Sequence, residues 1–363
     1  MKKLVLTGGG TGGHIYPAIS VLEALRAQPG AVGEVRFFGP ENRGERAMVE
    51  RYGLRFESVP AAPIRGRGPL ALVRSFARLG WGTAVATRRL LAFRPGVVFS
   101  TGGYASFPCC VAARLLRKPV VVYLPDVSPG WAVKAEMRLA TRLATTTEAA
   151  LNHLPRRKTT VTGYPVRPAF FEHTRAEARQ LLGIPAEAKV LLIAGASQGA
   201  TAINAAVFKG VRGLLNGMTV THITGAAGYD EARGFESQLG HELDGRYHPS
   251  PFREDLPALM IAADLAVMRA GASTLGELTA AGLPAVLVPG AFAGGHQRAN
   301  AKWLADAGAA VVLEEKDLGS LCDMVENLMA DEPRLAAMRA AALGLARPNA
   351  ARDIANLILA VAK

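Results

Sequence analysis

Short apolar blocks alternate along this chain with stretches in which apolar residues recur every three or four positions. In the first half the blocks are Leu4-Val5-Leu6-Thr7, Val35-Arg36-Phe37-Phe38, Phe56-Glu57-Ser58-Val59-Pro60, Val97-Val98-Phe99-Ser100, Pro119-Val120-Val121-Val122-Tyr123 and Leu143-Ala144-Thr145-Thr146-Thr147. Runs of this length and character predict buried strands. Between them, Ile15, Ala18, Ile19, Leu22 and Leu25 keep helical spacing, a polar helix is expected from about Glu41 to Tyr52, and a long helix from about Leu70 to Phe93. The second half repeats the alternation, with strands expected at Val190–Ala194, Val220–Thr224, Tyr247–Phe252, Leu265–Met268, Ala285–Val288 and Ala310–Leu313. From about Pro333 the pattern is helical to the end. Strands alternating with helices, and loops at the strand ends, predict an α/β fold of two Rossmann-like, doubly wound parallel sheets.

A chain of 363 residues can bury two full-sized cores. The prolines and glycine of Val161–Pro168 mark the crossover, giving expected domains at 1–163 and 164–341. No apolar run approaches the ~18 residues of a membrane span, and the one after Met1 is far too short for a signal-peptide core. Cys109, Cys110 and Cys322 are too few and too badly spaced for a disulfide framework or a zinc site. These features together predict a cytoplasmic protein.

Charge changes the picture of the first domain. Of the formal +12, residues 1–165 carry 24 Lys and Arg against 9 Asp and Glu, and no acid occurs between Glu57 and Asp126. One-sided charge of this kind points to an anionic partner, nucleic acid or a membrane surface. Within it, Leu72, Phe76, Leu79 and Trp81 stand among Arg74 and Arg78 on the long helix. Such a helix can lie on an anionic membrane with its apolar side in the headgroup region, or simply pack that side on the sheet. No recognised nucleic-acid motif accompanies the arginines, so a nucleic-acid partner is not expected.

The candidate chemistry sits in glycine turns at strand ends. Gly195-Ala196-Ser197-Gln198-Gly199-Ala200 lies between the strand Val190–Ala194 and a helix, where backbone N–H groups and a serine hydroxyl can hold phosphate oxygens. A tight turn that needs glycine only for its backbone angles has the same composition. Gly8-Gly9-Gly10-Thr11-Gly12-Gly13-His14 formally fits a dinucleotide loop, but the second strand ends Phe37-Phe38-Gly39 and lacks the acid that would hold a ribose. No Lys-Ser/Thr pair follows these glycines, which excludes a Walker loop. His14 can act as a general base or cap the turn; imidazoles ionise close to neutral pH. In the second half, Arg269, Gly271, Ala272 and Ser273 open a helix in which Glu277 can accept from a ribose diol or complement the helix dipole. His296, Gln297 and Asn300 end another glycine loop with groups suited to sugar hydroxyls.

Gly9–His14, Gly163-Tyr164-Pro165-Val166-Arg167, Ser197–Ala200, Arg269–Ala272 with Glu277, Ala281-Gly282-Leu283-Pro284, and His296-Gln297 with Asn300-Ala301 occur in an order that resembles the MurG family of bacterial cell-wall glycosyltransferases. The resemblance spans nearly the whole chain. It implies a GT-B fold with the active site in the cleft between the domains and a last helix, about 342–363, packed back on the first domain. UDP-GlcNAc would be held by Arg167, Ser197, Gln198, Gly199, Phe252, Arg253, Arg269, Ala272, Ser273, Glu277, His296, Gln297 and Asn300. Thr11, Gly12, Gly13, His14, Tyr104 and Asp126 would face the acceptor, undecaprenyl-pyrophosphoryl-MurNAc-pentapeptide (lipid I), at the cytoplasmic face of the inner membrane. The chain departs from the family at Tyr123-Leu124-Pro125-Asp126, where His-Glu-Gln-Asn is usual, at Tyr164 in place of asparagine, and at Ala196 in place of glycine.

The implied reaction is an inverting transfer: the MurNAc C4 hydroxyl attacks GlcNAc C1 as UDP departs, with His14 or Asp126 taking the proton. No Asp-x-Asp motif occurs and no metal or other cofactor is expected, so helix N-terminal amides and Arg167 would stabilise the leaving diphosphate. Another UDP-sugar enzyme of the same fold, a glycolipid synthase or a nucleotide-sugar epimerase, is the competing expectation.

Overall fold

The computed structural model describes residues 1–9, 12–41, 44–64, 68–195, 200–240, 243, 245–290 and 295–363, and the chain divides into two compact units. Unit 1 comprises Met1–Arg167 and Pro348–Lys363, and unit 2 is Pro168–Arg347.

Unit 1 runs β1 (Lys3–Thr7), α1 (Gly12–Arg26), β2 (Glu34–Gly39), α2 (Glu45–Glu50), β3 (Arg55–Ser58), α3 (Pro69–Phe93), β4 (Val97–Ser100), α4 (Phe107–Leu115), β5 (Val120–Leu124), α5 (Trp131–Leu139), β6 (Arg142–Thr145) and β7 (Thr159–Val161). The strands form one parallel sheet in the order β3-β2-β1-β4-β5-β6-β7. Helices cover it, so Val5, Val98, Val120 and Val122 are buried together with Leu90 and Phe93 of α3 and Ala112 and Ala113 of α4. Continuous apolar strands are the sequence form of a sheet covered on both faces.

Unit 2 runs α6 (Arg175–Leu181), β8 (Val190–Ala194), α7 (Thr201–Leu214), β9 (Thr219–Ile223), α8 (Ala226–Glu236), β10 (Tyr247–Ser250), α9 (Leu256–Ala262), β11 (Leu265–Met268), α10 (Ala272–Ala281), β12 (Ala285–Leu287), α11 (His296–Asp306), β13 (Ala310–Val312), α12 (Leu321–Ala330) and α13 (Glu332–Gly344). Its parallel sheet has the order β10-β9-β8-β11-β12-β13. Both sheets thus wind outward in two directions from an inner strand pair, β1 and β4 in one unit, β8 and β11 in the other.

Three local expectations change. β7 is not expected from the sequence and overlaps the expected crossover only at Val161; it adds an outer strand of only three residues beside β6. Among the described residues, the polar helix expected from Glu41 to Tyr52 is helix only over α2, with Gly44 in the left-handed region at φ 78° as its N-cap. The helix expected from Pro333 to the end is two helices, α13 and α14 (Ala350–Val361), separated near Pro348 because proline restricts the residue before it to extended angles. α14 buries Ala350, Ile354, Ala355 and Ile358 and packs on α1, while the Lys363 amide donates to the Gly96 carbonyl.

Candidate active site

In an open parallel sheet, a crevice forms beyond the strand C-termini where the winding direction reverses. In unit 1 this lies between β1 and β4, and Thr7 pairs with Ser100 at their ends. The loops that follow therefore emerge side by side. His14, in the first turn of α1, reaches across with Nδ1 2.9 Å from the Thr101 carbonyl oxygen. A carbonyl can only accept, so Nδ1 carries the proton and Nε2 keeps its lone pair. The turn that supplies this carbonyl continues through Gly102 and Gly103, at φ 80° and 100°. These angles are readily adopted only by glycine, and a Cβ on Gly103 would stand 3.7 Å from His14 Cε1.

Around this centre, Gly12 opens α1 and Gly13 lends its carbonyl to the Tyr164 hydroxyl at 3.2 Å. Tyr104 and Asp126 are half-buried, on the loops after β4 and β5. Thr11 lies outside the described residues. The two tyrosine departures form one feature: Tyr123 and Tyr164 meet edge to face with ring centres 6.2 Å apart. Tyr123 is fully buried, its hydroxyl 2.7 Å from Thr146 Oγ1 and donating to Gly163 O at 3.3 Å. It therefore supports the loop after β5 from below and offers nothing to a ligand. Burial pushes its phenol well above the usual range, leaving it a neutral hydrogen-bonding group.

Unit 2 repeats the arrangement between β8 and β11, where Ala194 pairs with Met268 and Met268 also pairs with Leu287 of β12. The C-terminal ends of β8, β11 and β12 are consequently neighbours. Ser197, Gln198 and Gly199 lie outside the described residues. Ala272 and Ser273 stand half-buried at the N-terminus of α10, with Glu277 half-buried one turn in. His296 and Gln297 are half-buried at the start of α11, and Gln297 Oε1 accepts from Gly290 N at 2.8 Å. Phe252 is 58 % exposed after β10, next to Arg253, which pairs with Asp255 and thereby draws that carboxyl below its usual range.

Two expected donor residues also brace their own domain. Asn300 is fully buried and donates to the Ala270 carbonyl at 3.1 Å, tying α11 to the turn that opens α10. Arg269 is 7 % exposed; it donates to Val288 O at 3.2 Å and pairs with Glu315 at 2.9 Å. Its guanidinium thus joins the ends of β11 and β12 to the turn after β13. Arg167, expected with the donor residues, belongs to unit 1 and lies over the Tyr16 ring, 5.5 Å from its centre.

α3 turns Ser75, Leu79, Gly82, Ala86, Leu90 and Phe93 inward. Leu79, expected at a membrane, is 5 % exposed and part of the core, and Leu72 is half-buried. The outward arc carries Leu70, Val73, Phe76 and Trp81, with Trp81 66 % exposed, and Arg74 and Arg78 lie on the same side. Leu70 and Val73 were missed, although their i, i+3 spacing with Phe76 was legible. Arg89 is not part of this arc: it pairs with Glu57 of β3, which also holds Arg36. Sequence reasoning also missed Glu136, a carboxyl at an apolar position of α5 and fully buried beneath the Thr101–Gly103 turn.

Two doubly wound parallel-sheet domains in one chain give the GT-B class of fold. Comparison with known proteins narrows this. The glycosyltransferase family 28 N-terminal domain matches residues 4–145, and the family's C-terminal domain matches residues 190–358. The chain belongs to this family and, within it, to the MurG transferases. It is 38 % identical to the UDP-N-acetylglucosamine–N-acetylmuramyl-(pentapeptide) pyrophosphoryl-undecaprenol N-acetylglucosamine transferase of Desulforudis audaxviator, over 98 % of this chain and 97 % of that one. The transferase of the same name from Halothermothrix orenii is 34 % identical, over 99 % of each. Among solved structures, MurG of Acinetobacter baumannii superposes with a TM-score of 0.75 at 26 % identity, over 99 % of both chains. The UDP-GlcNAc 2-epimerase of Neisseria meningitidis shares the fold, with a TM-score of 0.69 at 16 % identity over 99 % of this chain and all of that one.

Proposed function

We propose that this protein transfers GlcNAc from UDP-GlcNAc to the C4 hydroxyl of MurNAc in lipid I, forming the β(1→4) bond of lipid II. The observation that carries this reading is the end-to-end similarity to transferases named for that reaction, at 38 % identity. The site geometry suits it. The hydroxyl attacks C1 as the C1–O bond to UDP breaks, and UDP leaves with the electron pair. His14 Nε2, with its lone pair free because Nδ1 donates to Thr101, takes the C4 proton. Asp126, on the loop after β5, would orient the acceptor. In unit 2 the N-termini of α10 and α11 offer backbone N–H groups to the diphosphate, joined by the Ser197–Gly199 loop and Arg167. Glu277 would accept from the ribose hydroxyls, His296 and Gln297 would meet the GlcNAc hydroxyls, and the chain near Phe252 and Arg253 would hold uracil.

Among the described residues no helix is long and apolar enough to cross a membrane. Leu70, Val73, Phe76 and Trp81 would instead rest on the cytoplasmic face of the bacterial inner membrane, with Arg74 and Arg78 at the anionic headgroups. The deciding experiment supplies labelled UDP-GlcNAc with and without lipid I in anionic vesicles. Label entering lipid only when lipid I is present supports the reading. Label entering another glycolipid, or acceptor-independent conversion of the donor, overturns it in favour of a different UDP-sugar enzyme.

A further inference from the structure

We propose that Glu136 is a positioning residue that holds the Thr101–Gly103 turn, and through it His14, by donating a hydrogen bond to Ser106 from an un-ionised carboxyl. The inference rests on the reading of His14 as the base, but the contacts that carry it do not.

Donor counting leads to it. Ser106 Oγ stands 2.7 Å from Glu136 Oε1 and 2.9 Å from the Gly103 carbonyl oxygen. A serine hydroxyl has one hydrogen, and a carbonyl can only accept. Both contacts are hydrogen bonds only if the carboxyl carries a proton on Oε1: Oε1–H donates to Ser106 Oγ, and Ser106 Oγ–H donates to Gly103 O. The second oxygen fits the same scheme. Ser100 Oγ donates to Glu136 Oε2 at 3.1 Å and accepts from Gly102 N at 3.0 Å. The carboxyl thus fixes Gly102 through its amide and Gly103 through its carbonyl, while Thr101, one residue earlier, holds the His14 ring.

If Glu136 ionises, Ser106 must turn its one hydrogen to the carboxylate, and Gly103 O loses its donor. The turn beside the imidazole then loosens. Glu136 has no exposed surface, and burial, opposed by the two serines, pushes its ionisation up to about 8. The titratable groups facing it are Cys109 and Cys110 of α4, and burial pushes both thiols up, Cys109 to about 12. They are neutral while Glu136 titrates. The clamp is therefore closed at neutral pH and opens at alkaline pH.

The test follows the assigned amide resonances of Gly102 and Gly103 in the full-length protein without substrate, from pH 6 to 10. A shared alkaline transition that disappears in Glu136→Gln is expected, because the carboxamide keeps one donor and one acceptor at every pH. Ser106→Ala, which removes the relay, should also abolish the Gly103 transition. In sugar transfer, the wild type should lose turnover by roughly tenfold through the same transition with the KM for UDP-GlcNAc unchanged. Glu136→Leu should show the low turnover at all pH values, and Glu136→Gln should restore it. A transition that persists in Glu136→Gln, or an unchanged pH–rate profile in that variant, overturns the proposal. If no sugar transfer occurs at all, the amide transition still decides the role of Glu136, and only the reading of the reaction fails.

Discussion

His14 draws its chemistry from a contact 87 residues away in the chain. The Thr101 carbonyl removes one of its two tautomers and turns Nε2 into the basic nitrogen. His14→Ala is expected to lower turnover by roughly 10²–10⁴-fold with UDP affinity retained, measured by steady-state kinetics beside calorimetric UDP binding. The histidine's presence in a glycine turn was legible in the sequence, but its partner was not. Asn300 and Arg269 show the converse. Amide and guanidinium groups near a strand end read as ligand contacts, yet both also donate to carbonyls of their own domain. The residue type is the same in either role, and only burial tells them apart.

A second histidine makes a different prediction. His222 is buried, with Nδ1 2.8 Å from the Tyr247 hydroxyl and Nε2 3.1 Å from Asn204 Oδ1. Asn204 Oδ1 can only accept, so Nε2 carries the proton and Nδ1 accepts from Tyr247. Burial lowers its ionisation from 6.5 to about 4, so between those values the unfolded chain binds more protons than the native one. Its stabilising contribution is therefore full above pH 6.5 and is lost as pH falls toward 4, by about 3 kcal/mol. Urea unfolding of unit 2 across this range should show the acid limb, and His222→Gln should flatten it.

At the scale of the element, α3 shows how one helix serves two surfaces. Gly82 lies where α3 meets the segment after β3: a Cβ there would stand 1.9 Å from the Pro60 carbonyl oxygen. Gly80, one turn-face away, has nothing within 4 Å. Gly82→Ala should therefore destabilise unit 1 by about 2 kcal/mol or more, whereas Gly80→Ala should stabilise it by about 0.5–1 kcal/mol. Equal effects in chemical unfolding would show that the close approach is not what Gly82 serves. The helix itself was legible from its period. Its phase was legible only in part, since Leu79 faces inward while Leu70 and Val73 face out. Apolar residues surround much of this helix, so sequence alone could not choose which arc meets the sheet.

For the whole molecule, the charge asymmetry and the outer arc of α3 belong to the same unit, and both favour an anionic lipid surface. Replacing Phe76 and Trp81 together by serine should weaken sedimentation with anionic vesicles by roughly 10²–10⁴-fold, since the two side chains together contribute about 3–6 kcal/mol when taken from water. UDP binding should hold. Raising salt should weaken the wild-type interaction further, because the arginine contribution is screened. Binding that is insensitive to both changes would place the membrane contact elsewhere.

The sequence by itself determined the two parallel sheets and the loops that could carry chemistry, because strand and helix periods are local and the loop after each buried strand must emerge at its C-terminal end. It also supplied a family resemblance through a series of short motifs in a fixed order. Tertiary structure decided which loops become neighbours, through the strand orders about β1–β4 and β8–β11. It further decided which partner each polar side chain meets: His14 is set by Thr101, while Asn300, Arg269 and Tyr123 brace loops of their own unit. Those outcomes depend on partners at least 19 residues away in the chain, and no local pattern of residues encodes which carbonyl a buried donor will find.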